Sequence, residues 1–153
     1  MTQSHSTRSL RIGVIETGNI PEEVATKYLD YPGMVASWLG PVMPDAQFGA
    51  VRVVNDARLG HPADYDGYVI TGSRHGAYDP LPWIAPTEHF IRECGRRRIP
   101  IFGICFGHQI IAQAYGARVE KSDRGWGVGS QRYVMDADEH VDADIAVHVF
   151  HQD

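Results

Sequence analysis

Five residues constrain this chain more than any other feature. Gly103-Ile104-Cys105-Phe106-Gly107 directly follow the apolar run Ile99-Pro100-Ile101-Phe102. A near-continuous apolar run of this kind suits a strand buried on both faces. Gly107 to Tyr115 then reads as a helix, with Ile110, Ile111 and Ala114 on one face and Gly116 as its stop. Gly-x-Cys-x-Gly therefore falls at a strand-to-helix junction. A turn that tight leaves no room for side chains two residues to either side of the cysteine, so both glycines are needed. The helix behind points its N–H groups at the sulfur and favours the thiolate, the nucleophilic form. The N–H of Phe106 is placed to donate to an oxyanion. The competing reading is a buried, inert cysteine on a glycine-rich turn. The whole pattern in this context favours the nucleophile.

The rest of the chain alternates short apolar runs with periodic segments. Leu10 to Ile15, Phe48 to Val54 and Gly67 to Ile70 read as strands. Glu22 to Leu39 reads as helix interrupted around Tyr31-Pro32-Gly33, since Pro cannot continue a helix and Gly weakens one. Pro86 to Arg97 reads as a helix with Pro at its start and basic residues at its end. Arg118 to Glu120 and Gly127 to Tyr133 are weaker strand candidates, and Ile145 to Phe150 is a last apolar run. Strands alternating with helices predict an α/β three-layer sandwich around a central, mostly parallel sheet. Such a sheet carries its site at the carboxyl ends of the strands. Residues 1–9 form a polar tail, and residues 10–153 the domain.

Composition narrows the class of function. Lys and Arg number 14 against 19 Asp and Glu, a net charge of −5, which is not the footprint of a nucleic-acid binder. The basic run Arg96-Arg97-Arg98 reads as a solvated helix end, where cations favour the dipole. Two cysteines, Cys94 and Cys105, are too few for a disulfide scaffold. With no signal-peptide pattern and no apolar stretch long enough to span a bilayer, a cytoplasmic protein is expected, neither membrane-bound nor nucleic-acid-binding. No His/Cys/Asp/Glu cluster has metal spacing, so no metal or cofactor is predicted. The acidic stretch Asp136-Ala137-Asp138-Glu139 with Asp142 and Asp144 lacks the pattern of a calcium loop and reads as a solvated connection.

Gly103-Ile104-Cys105-Phe106-Gly107-His108-Gln109 closely resembles the nucleophile motif of class I glutamine amidotransferases, in particular their small stand-alone, GMP-synthase-like members. Val69-Ile70-Thr71-Gly72-Ser73 is similar to the family's oxyanion loop. Tyr78-Asp79 with Leu81-Pro82-Trp83-Ile84, Arg124-Gly125-Trp126-Gly127 and Phe150-His151-Gln152-Asp153 resemble further segments in the family's order. The resemblance implies a flavodoxin-like architecture and a reaction. Cys105 attacks the carboxamide of glutamine, and N–H groups of Phe106 and of Gly72 or Ser73 hold the oxyanion. Ammonia leaves, and water resolves the γ-glutamyl thioester. Gln109, His151 and Gln152 are implied as substrate-binding, although Gln109 reads equally as a helix residue satisfied by a loop carbonyl. The implied partners are glutamine or another γ-glutamyl substrate and an ammonia-accepting synthetase. A γ-glutamyl peptidase of the same fold and a non-catalytic binding scaffold are the alternatives.

A cysteine nucleophile of this kind needs a general base. The family supplies a His and a Glu two residues apart, usually as His-Pro-Glu, and that motif is absent here. In one reading the sequence ends before the catalytic pair, lacks the C-terminal part of the domain, and is inactive or impaired. In the other, His151 is the base and Asp153 its orienter. The Cys105-to-His151 separation is short for the family's nucleophile and base, which favours the first. His75 reads as a surface loop residue and His108 as a helix-surface residue.

Overall fold

A computed structural model describes residues 8–21, 23, 27–55, 58–134 and 144–151. The chain divides into two compact units, residues 1–119 and 120–153.

Among the described residues the first unit holds four strands: β1 (Arg11–Glu16), β2 (Gln47–Arg52), β3 (Gly67–Ile70) and β4 (Ile101–Gly103). All pair in parallel, in the order β2-β1-β3-β4. The helices α1 (Tyr31–Leu39), α2 (Ile84–Arg96) and α3 (Phe106–Ala114) accompany them. The period-2 alternation of the strands sorts their side chains between two faces. Ile15, Tyr68 and Ile70 pack with Phe90, Ile91 and Cys94 of α2 and with Phe106, Ile110 and Ala114 of α3. Val14 and Val69 pack with Val35 of α1 on the opposite face. The result is a three-layer α/β sandwich with a parallel sheet, as the sequence predicts. Ile15, Ile70, Ile91, Ile110 and Phe106 are almost wholly buried, each contributing roughly 1.5–3 kcal/mol. That packing holds the carboxyl ends of β3 and β4 rigid from below.

Three local expectations need correction. The break in the Glu22 to Leu39 stretch falls just earlier, at residues 27–30, and Tyr31-Pro32-Gly33 opens α1. Asp30 caps it by accepting from the Gly33 N–H at 2.8 Å, and Pro32 sits in the first turn, where its missing N–H costs nothing. β4 is not buried on both faces. Among the described residues it is the edge strand of its sheet, and Phe102 remains 55% exposed although it lies beside Trp38 of α1, ring centroids 6.2 Å apart. Arg118 to Glu120 is irregular rather than a strand.

Gly116 takes φ 91° just past α3, the left-handed conformation of a helix stop. Arg96, Arg97 and Arg98 are exposed at the end of α2, and Glu93 pairs with Arg96 and Arg97. Among the described residues no helix is long and apolar enough to cross a membrane.

The second unit is an antiparallel pair, β5 (Gly127–Val134) and β6 (Asp144–His151), in register from Gly127 opposite His151 to Val134 opposite Asp144. The acidic stretch at 136–142 lies outside the described residues.

Candidate active site

The order β2-β1-β3-β4 brings three chain segments side by side at the carboxyl end of the sheet: Thr17-Gly18 after β1, Thr71-Gly72-Ser73 after β3, and Ile104-Cys105 after β4. Cys105 lies on the tightest of these turns. It has φ 52° and ψ −109°, a left-handed conformation that a side chain adopts only under strain, at a cost of order 1–3 kcal/mol. Both flanking glycines are sterically required. A Cβ on Gly103 would overlap the backbone of Gly107 and His108, and one on Gly107 would overlap the Ile70 carbonyl. The first turn of α3 thus folds back onto β4 and rests on β3.

Cys105 caps the N-terminus of α3 and is exposed. Phe106 opens the helix, so its N–H has no acceptor four residues back. Its ring is 1% exposed and packs 5.6 Å from Trp83, anchoring that turn in the core. A Cβ at Gly72 would sit 3.8 Å from the Cβ of Cys105, so the loop after β3 runs beside the cysteine.

That loop is braced along its length. Ser73 Oγ accepts from the His75 N–H at 3.1 Å, and Asp79 Oδ2 accepts from the Gly76 N–H at 2.9 Å. Gln113 Nε2 on α3 donates to the Ala77 carbonyl at 2.7 Å and to Glu88 Oε1 at 2.6 Å. His75 lies 3.9 Å from Asp79 and against Trp83, and is only partly exposed. Gln109, half-buried, is one turn beyond the cysteine, its N–H donating to the Cys105 carbonyl at 3.2 Å. His108 is exposed on the same helix.

Beside the turn lies an open apolar cavity of about 500 Å³, bounded by Tyr31, Met34 and Trp38 of α1 and by Gly72, Phe102 and Ile104. The other cysteine is unlike the first. Cys94 on α2 is fully buried, and burial first, the Glu93 carboxylate second, push its thiol up to about 11.

The structure therefore brings Cys105, Phe106, Gly72, Ser73 and Gln109 into one region of the first unit. His151 is the last residue of β6 in the second unit, while Gln152 and Asp153 fall outside the described residues. Among the described residues no three His, Cys, Asp or Glu side chains group as a metal site would. Sequence reasoning placed Thr71 in the loop after β3 but missed Thr17 and the pairing of the two. Both are buried and hydrogen-bonded to each other, and nothing local marks Thr17.

Comparisons with known proteins bear on the family and the fold. The profile of the class I glutamine amidotransferase family matches residues 49–152. A glutamine amidotransferase-like protein of Schizosaccharomyces pombe is 30% identical over 132 residues, 78% of this chain and 53% of its own length. Gamma-glutamyl peptidase 4 of Arabidopsis thaliana is 35% identical over 101 residues, 64% of this chain and 39% of its own. The chain thus spans about half the length, or less, of these curated relatives. The crystal structure of a glutamine amidotransferase from Methylobacillus flagellatus shares the fold with a TM-score of 0.72 at 20% identity, over 94% of this chain and 55% of that one. The match of the family profile to more than half of the sequence places this chain in the class I glutamine amidotransferase family.

Proposed function

We propose that the site hydrolyses a γ-glutamyl amide through a thioester on Cys105, with glutamine as the first substrate. The Cys105 sulfur attacks the side-chain carbonyl carbon, and the carbonyl oxygen becomes an oxyanion held by the Phe106 N–H and an N–H of Gly72 or Ser73. The C–N bond breaks, and the nitrogen takes up a proton and leaves as ammonia. Water then adds to the thioester, releasing glutamate and restoring the thiol. Gln109 borders the substrate in this reading, and an ammonia-accepting synthetase is the partner class it calls for. The observation that carries the proposal is the strained conformation of Cys105 between two obligatory glycines, with Gly72 alongside. Strain of this kind persists where the surroundings over-determine it, which is characteristic of functional sites.

The similarity to an Arabidopsis γ-glutamyl peptidase supports a second reading, in which the leaving group is an amino acid or peptide rather than ammonia. One assay separates the two. The purified chain is incubated with glutamine or with a γ-glutamyl dipeptide; ammonia, free amino acid and glutamate are measured, and Cys105 is examined by mass spectrometry. Glutamate with ammonia supports the first reading; glutamate only from the dipeptide supports the second. In both, Cys105→Ser abolishes turnover. A thioester that forms but does not turn over, at the same level in His151→Asn, shows that His151 does not serve as the base. Failure of Cys105 to form any adduct overturns the enzymatic reading in favour of a binding scaffold.

A further inference from the structure

Thr17 and Thr71 are separated by 54 positions, and both are essentially inaccessible to solvent. The Thr17 N–H donates to Thr71 Oγ1 at 3.1 Å, and Thr17 Oγ1 donates to the Thr71 carbonyl at 2.9 Å. Thr71 Oγ1 donates to the Gly72 carbonyl at 3.2 Å, a distance at which Thr17 Oγ1 also lies. One assignment of the hydroxyl protons satisfies every group. The Thr17 N–H goes to Thr71 Oγ1, the Thr71 hydroxyl to Gly72 O, and the Thr17 hydroxyl to Thr71 O. Two successive carbonyls, those of Thr71 and Gly72, are thereby tied.

The consequence follows from peptide planarity. In a trans peptide the C=O of one residue and the N–H of the next point in opposite directions. The tied Thr71 carbonyl turns the Gly72 N–H away from Thr17, and the tied Gly72 carbonyl does the same to the Ser73 N–H. In a continuing strand, successive N–H groups would alternate sides. Here the clasp puts two neighbouring N–H groups on one side, as in an anion-binding nest. The sheet order places β1 on one side of β3 and β4, with Cys105, on the other. Gly18 completes the template, because a Cβ there would come within 3.0 Å of the Gly72 carbonyl and 3.1 Å of Ser73 Cα. This clasp also closes the crevice between β1 and β3 where the strand order reverses, the usual ligand position in such sheets.

We propose that Thr17, which does not touch the substrate, is a positioning residue that sets the paired Gly72 and Ser73 N–H groups of the oxyanion loop. The inference rests on the reading of Cys105 as the nucleophile and of this loop as part of its oxyanion hole.

The test compares wild type with Thr17→Val, which keeps the shape and removes the hydroxyl, and Thr17→Ser, which restores it. Each folded full chain reacts with two reagents. One is a chloroketone analogue of glutamine, whose carbonyl must enter the hole; the other is iodoacetamide, which needs only the thiol. Thr17→Val is expected to slow the chloroketone at Cys105 by about tenfold or more, against the 10²–10³-fold seen when a hole donor is removed outright. Iodoacetamide should change by less than about twofold, and Thr17→Ser should recover most of the chloroketone rate. The Gly72 and Ser73 amide NMR resonances should shift in Thr17→Val and return in Thr17→Ser.

Equal chloroketone rates in all three proteins, or a parallel fall with both reagents, overturns the assignment. If the wild-type chain shows no chloroketone preference for Cys105 over Cys94, the oxyanion reading itself fails and the inference with it. The amide resonances then still report whether the clasp orients the loop, so the two failures are distinguishable.

Discussion

Cys94 and Cys105 carry the same thiol and lie on neighbouring elements, yet their surroundings give them opposite characters. Cys94 sits on the inner face of α2 among Tyr68, Phe90 and Ile91, fully buried, its ionisation suppressed. Cys105 sits at the open end of the sheet, exposed, in a backbone conformation that a buried packing residue has no reason to adopt. The difference does not come from the amino acid or from general hydrophobicity. It comes from where two glycines allow a helix to fold back onto its own strand.

The strongest way to break this comparison is to ask the two thiols to do the same chemistry. A glutamine-analogue chloroketone is expected to modify Cys105 at least about 10³-fold faster than Cys94 in the folded chain, and Cys105→Ser should abolish the fast phase. Peptide mapping of the labelled protein decides it, and equal slow labelling of both cysteines would remove the distinction. The glycines come next. Gly107→Ala forces a methyl into the Ile70 carbonyl, and nothing flexible there can yield. The expected cost is about 3 kcal/mol of stability, with slower labelling of Cys105 in whatever remains folded. A Gly107→Ala chain that melts and labels as wild type would show that the turn has more freedom than its contacts imply.

Cys94 offers a smaller, pH-dependent effect. Its folded-state value, about 11, stands above the ordinary thiol value of 9.0. For a group raised in this way, the stabilisation is fully present below the unfolded value and is lost as pH rises through the folded one. Between about pH 9 and 11 the wild-type chain should therefore lose up to roughly 2 kcal/mol that Cys94→Ala does not lose. Tyr68 is also raised, by burial first and by the neighbouring Cys94 thiolate second, so the difference between the two chains reports the thiol together with its coupling to Tyr68. Denaturant titrations at pH 8 and pH 10.5 measure it. Parallel curves would mean that Cys94 is reached by water.

Much of this contrast is legible in the sequence because it is local. β3 begins and ends where its apolar run does, and the glycines around Cys105 announce a turn that only glycines permit. The errors are equally physical. Tyr31-Pro32-Gly33 contains two helix-disfavouring residues, but their effect reverses when Asp30 stands in front to cap them. The Ile99–Ile104 run has the composition of a doubly buried strand. Whether Phe102 is covered depends on which strands flank β4, and that order is a property of the whole sheet. The Thr17–Thr71 clasp is least legible of all. Threonine at a strand end is unremarkable by itself, and the pairing exists only because β1 and β3 become neighbours.

The finest test of the comparison concerns the energy stored at Cys105. If Cys105 is held at φ 52° by its surroundings rather than by its own preference, a residue without a Cβ should be more comfortable there. Cys105→Gly is therefore expected to stabilise the folded chain by about 1 kcal/mol, since the relieved strain exceeds the added entropy of glycine in the unfolded state. Cys94→Gly should do the opposite, because it opens a cavity in the core and adds a second glycine, next to Gly95, in the last turn of α2. Thermal melts of the two variants read out that opposition directly. Stabilisation of the first with destabilisation of the second would place the strain at the turn, as expected where activity is maintained at some cost to stability. Destabilisation by both would show that the Cys105 side chain contributes packing its exposed position does not suggest, and would make the two cysteines more alike than their surroundings imply.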